Sequence, residues 1–104
     1  MSAIENKAEA IRRILAASPR LRALGVVEIG IFGSFVTGQQ TSASDVDVLV
    51  RFAADQHSFD SFMELSFFLE ELLGRRVDLV TTDALSPHIG PHILREVERV
   101  PIAA

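Results

Sequence analysis

Cysteine, tryptophan and tyrosine are all missing from these 104 residues. Without cysteine there is no disulfide framework, no thiolate metal site and no cysteine nucleophile, and such usage suits a reducing compartment. Without tyrosine the chain has no phenol of its own to offer as an acceptor. Positive charge is in short supply as well. Ten Lys and Arg stand against fourteen Asp and Glu, a net charge of −4, so nothing electrostatic invites a DNA duplex as partner. No apolar run approaches the roughly 18–20 residues of a membrane span. The opening Met1-Ser2-Ala3-Ile4-Glu5 puts an acid where a signal peptide carries basic charge. These absences predict a cytoplasmic protein with no membrane contact. What is present is a globular balance, 48% hydrophobic and 23% charged, enough to fill one core. The length predicts a single domain over residues 1–104.

Apolar residues Ile4, Ala8, Ile11 and Leu15 recur at helical spacing and predict a first helix up to Ala17. Ser18-Pro19 stops it and can start a second short turn, with Gly25 closing that turn. Val26 to Phe32 is β-branched and apolar, a buried strand. The small polar residues Gln39 to Ser44 read as a loop, and Val46 to Phe52 as a second strand. Phe59, Phe62, Met63, Ser66, Leu69, Leu72 and Leu73 make a wide helical stripe ended by Gly74. Arg76 to Thr81 is a third strand, and a short helix runs through Ile93, Leu94 and Val97. The helix between strands two and three is a crossover that allows those two to pair in parallel. The loop between strands one and two allows either direction.

The chemistry concentrates between Gly33 and Val50. Strand alternation puts Asp45 and Asp47 on one face and Val46, Val48 and Val50 on the other. Two carboxylates about 7 Å apart along a strand can converge on a hard cation, and without one they repel. Asp78, between Val77 and Leu79 in an apolar strand, also needs a partner. It joins the other two if strands two and three are neighbours; otherwise Arg75 or Arg76 can pair with it. Three acids around two Mg²⁺ ions suit in-line phosphoryl or nucleotidyl displacement. Gly33-Ser34 follows a buried strand, and a helical turn through Phe35, Val36 and Thr37 would aim free N–H groups at an anion. Gly33 allows close backbone approach to a phosphate, and the Ser34 hydroxyl can donate to it.

Other candidates read as ordinary structure. His88 and His92 are four apart, but Gly90-Pro91 between them disfavours a regular helix, and His57 stands apart from both. Phe67 and Phe68 are adjacent on the long helix and cannot face the same way, so one of them is expected on the surface as a possible interface residue.

Gly33-Ser34, ten residues, Asp45-x-Asp47 and a later strand aspartate, Asp78, resemble the nucleotidyltransferase superfamily typified by DNA polymerase beta. The leading helix, the Leu72-to-Val80 run and the short C-terminal helix resemble its smallest branch, the minimal nucleotidyltransferases (MNT). That resemblance implies an α/β (α+β) palm, a small mixed β-sheet with helices packed on one side. It implies Asp45 and Asp47 as metal ligands, Asp78 as the third carboxylate that binds the catalytic metal and helps the acceptor lose its proton, and Gly33-Ser34 as the triphosphate turn. The departure is the loop Gln39 to Ser44, which lacks the basic and proline residues common there. MNT chains of this size resemble antitoxins paired with a helical HEPN ribonuclease. The implied reaction is Mg²⁺-dependent transfer of AMP from ATP to a tyrosine of that toxin, within a hetero-oligomer. Two alternatives stay open: a small-molecule nucleotidyltransferase with an aminoglycoside-like acceptor, and an antitoxin that acts by binding alone.

Overall fold

In the computed structural model, which describes residues 2–102, four strands form one mixed sheet. The elements in chain order are α1 (Lys7–Ala16), α2 (Ser18–Ala23), β1 (Val26–Phe32), α3 (Ser34–Thr37), β2 (Val46–Phe52), α4 (Phe59–Leu73), β3 (Val77–Thr81), α5 (Gly90–Glu96) and β4 (Glu98–Val100). A 3₁₀ turn at Thr82–Ala84 follows β3. The sheet order is β3-β2-β1-β4. β1 runs antiparallel to both β2 and β4, while β2 and β3 are parallel, as the α4 crossover allows.

Local chemistry explains the boundaries. The Asn6 side chain accepts the Glu9 N–H at 2.9 Å and starts α1 there. The Ser58 hydroxyl does the same for α4 through Ser61 N–H at 3.1 Å. Gly74 closes α4 in the left-handed conformation, φ 68°.

Two expectations change at the N-terminus. Ile4 is fully buried but lies before the helix, where its N–H donates to the Leu73 carbonyl at 3.0 Å. The buried residues of α1 are Ala10 and Ile14, with Ile11 packed beside them, while Leu15 is 40% exposed. The buried face therefore runs through Ala10 and Ile14 rather than Ala8 and Leu15, where α1 packs against the main core. On α4 the core residues are Leu65, Leu69 and Leu73. Phe68 packs against the core and Phe67 is 62% exposed, as their adjacency requires; Phe59, placed on the stripe, is 77% exposed.

The main core lies on one face of the sheet. Ile29, Ile31, Val46, Val48, Val50 and Phe52 meet residues of α1, α2, α3 and α4 there. The opposite face carries a smaller cluster of Phe32, Leu49 and Ile93, flanked by Val80, Leu85 and Val97. One-sided packing therefore describes the first four helices, and α5 covers part of the other face. The predicted last helix stops at Glu96 rather than including Val97, because residues 98–100 leave it to pair with β1.

Candidate active site

The face that α5 only partly covers is the one to which the acids belong. Asp45 stands just before β2 and Asp47 lies within it; both are opposite in parity to Val46, Val48 and Val50, which fill the main core. In the parallel register of β2 and β3, Asp47 is the direct partner of Asp78. The strand neighbourhood that the sequence required for a three-acid group is therefore present. Asp45 and Asp78 are exposed and Asp47 is half-buried.

Gly33 meets this group from β1. Its backbone has φ 75° and ψ −149°, a region essentially restricted to glycine. A Cβ there would lie 1.9 Å from Asp47 Oδ2. The structure thus adds a second demand for glycine at this position, made by the carboxylate as well as by any anion. Ser34 opens α3, whose first turn closes through Val36 and Thr37 N–H groups on the Gly33 carbonyl at 3.0 and 3.1 Å. Gly38 ends the turn in the left-handed conformation, as expected.

The electrostatics of the group are unbalanced. Burial, and then the charges of Asp78, Asp45 and Glu96, push the Asp47 carboxyl from 3.8 up to about 6. Among the described residues no basic side chain forms an ion pair with Asp45, Asp47 or Asp78. Arg75, one of the two arginines considered as a partner for Asp78, is engaged elsewhere. Its guanidinium donates to the carbonyls of Ile4 (2.7 Å), Thr41 (2.9 Å) and Ser44 (3.0 Å) and lies over the Phe35 ring at 5.0 Å. It ties down the loop that delivers Asp45.

Clustered carboxylates without a cationic neighbour are a donor set for a hard divalent ion such as Mg²⁺. The fit lies in chemistry and placement. No group of three His, Asp or Glu side chains among the described residues is arranged to hold an ion as it stands.

Two participants were not legible beforehand. Glu96, at the end of α5, accepts the Gly33 N–H at 2.5 Å, and His92 Nε2 lies 3.5 Å from its other oxygen. Both line an open cavity of about 360 Å³ together with Phe32, Gly33, Ser34 and Asp47. A larger cavity of about 500 Å³, lined by Arg22, Val26, Gln56 and Ile102 among others, holds none of the predicted site residues. His92 could be noticed in the sequence only as a spacing with His88. Glu96 carried no signal, since nothing local says that α5 returns to β1.

Comparison with known proteins bears on the family and the fold. Residues 11–100 match the nucleotidyltransferase domain family. The chain is 48% identical over 91 residues to the protein adenylyltransferase MntA of Thermococcus cleftensis, covering 86% of this chain and 91% of that protein. A solved structure described as a minimal nucleotidyltransferase superposes with a TM-score of 0.74 at 33% identity, covering 86% of this chain and 92% of the other. A solved structure of a toxin–antitoxin with AMP-PNP superposes with a TM-score of 0.70 at 27% identity, covering 86% and 71%.

Proposed function

The chain belongs to the nucleotidyltransferase domain family, and on that footing we propose that it transfers AMP from ATP to a hydroxyl of a partner toxin, acting as its antitoxin. The observation that carries the site assignment is the meeting of the Gly33-Ser34 turn with Asp47, itself in register with Asp78. A triphosphate on that turn would have its α-phosphorus close to the acids. The relative named as an adenylyltransferase and the toxin–antitoxin structure with AMP-PNP support the nucleotide and the kind of partner.

In this reading Gly33 N–H and the Ser34 hydroxyl hold the triphosphate, and Asp45 and Asp47, with Asp78 beside them, would hold two Mg²⁺ ions. When bound, the ions would supply charge neutralisation at the phosphates. Asp78 orients the acceptor hydroxyl and draws off its proton. The acceptor oxygen forms its bond to the α-phosphorus as the bond to the β-phosphate oxygen breaks, and pyrophosphate leaves in line. The chain contains no tyrosine, so a phenol acceptor has to come from another molecule, and a HEPN-type helical toxin in a hetero-oligomer fits that need.

The test is to incubate the protein with a purified HEPN-type helical toxin, Mg²⁺ and ATP labelled at the α-phosphate. Label is expected on the partner with the wild type and not with Asp47→Asn. A partner that stays unlabelled yet is still inhibited would replace the enzymatic reading with one of steric binding.

A further inference from the structure

The Gly33 N–H, placed above among the groups that hold the triphosphate, already has an acceptor. Glu96 Oε1 takes the Gly33 N–H at 2.5 Å, a short charge-assisted hydrogen bond. We propose that Glu96 is an internal competitor for the anion seat, so that a triphosphate binds by displacing its carboxylate from Gly33 N–H. The inference rests on the nucleotide reading above and goes beyond it by assigning Glu96 a role.

Three observations argue for exchange rather than a fixed structural bond. First, Glu96 lies among like charges, being one of the groups whose negative charge acts on Asp47. The N–H donor holds the carboxylate there while the neighbouring acids repel it, so a ligand that brings its own cation and its own acceptor oxygens competes for the donor without that repulsion. Second, its other oxygen already lies 3.5 Å from His92 Nε2 at the wall of the same open cavity, a contact that does not depend on the Gly33 bond. Third, α5 has only seven residues, and Ile93 is its one side chain buried in the small Phe32–Leu49 cluster. A side-chain rotation of Glu96 vacates the seat without disturbing the main core, which lies on the other face of the sheet.

Displacement makes binding selective for polyanions. A triphosphate brings several charged oxygens to compete for one donor, whereas an uncharged nucleoside brings none. When pyrophosphate departs, the carboxylate returns and opposes its rebinding.

The test measures binding of Mg²⁺·ATP, inorganic triphosphate and adenosine to wild type, Glu96→Gln and Glu96→Ala by calorimetry. The Gly33 amide proton is followed in parallel by NMR. Glutamine keeps an acceptor but loses the charge; alanine frees the donor. Affinity for ATP and for inorganic triphosphate is expected to rise about tenfold in Glu96→Gln and further in Glu96→Ala, with adenosine unaffected. The Gly33 amide resonance should shift in both variants and, in the wild type, on adding triphosphate. Equal or weaker triphosphate binding by Glu96→Gln overturns the inference and makes Glu96 a supporter of the nucleotide. Should the alanine variant fold poorly, the glutamine variant alone decides. Binding of neither ATP nor triphosphate by any of the three overturns the nucleotide reading itself, and this inference with it.

Discussion

Asp47 is the residue at which the acidic site acts most strongly on the free protein. Its carboxyl is held at about 6, against 3.8 for the ordinary group. A carboxyl with a raised folded pKa binds its proton more tightly in the native state, so its favourable contribution exists at low pH. That contribution is lost as pH rises from about 3.8 through about 6. Without metal, Asp47→Asn should therefore melt at a higher temperature than wild type at pH 7.5, with the gap narrowing below pH 6. Thermal melts at pH 5 and 7.5 in the presence of a chelator check this; a gap that is constant with pH would contradict it. The same variant should lose label transfer, the usual conflict between stability and a charged site. The three aspartates were legible as a group because strand parity and an apolar context make such acids conspicuous. The upward push on the Asp47 carboxyl was not, because it depends on how deeply the folded chain buries that side chain and on which acids it brings beside it.

Among the elements, the loop between α3 and β2 shows how a segment with no regular structure is held in place. Its carbonyls at Thr41 and Ser44 accept from Arg75, which also reaches Ile4 and stacks on Phe35. Within the loop, Thr41 N–H donates to the Ser44 hydroxyl at 2.8 Å. Arg75→Ala should lower unfolding free energy by about 1–3 kcal/mol and speed amide exchange across residues 41–46. Arg75→Lys should recover only part of this, because an ammonium cannot reproduce the planar fork. Urea unfolding and hydrogen exchange measure both effects. No local pattern could have revealed Arg75, since its partners are 31, 34 and 71 positions away. For a similar reason β4 escaped sequence reading: three residues carry too little periodicity, and their strand conformation depends on pairing with β1.

At the scale of the whole molecule, the sheet separates stability from chemistry. One face is closed by four helices over the main core, while the other leaves the acids and the Gly33 turn open beside α5. Millimolar Mg²⁺ should stabilise the wild type through the open face. At ten times its dissociation constant the gain is about 1.4 kcal/mol, on the order of 5 °C, reversed by chelation. An equal shift in Asp47→Asn would place the ion elsewhere. β-Branched apolar runs, helical spacing and glycines at the turns were sufficient by themselves to determine β1, β2, β3, α3 and α4, and strand parity put Asp45 and Asp47 on one face, because those signals are local. The antiparallel direction of β1 against β2, the covering of the second face by α5, and the arrival of Glu96 at Gly33 N–H, 63 positions away, were decided by chain packing. They are contacts between distant segments, and no local stretch of sequence encodes which partner will meet it.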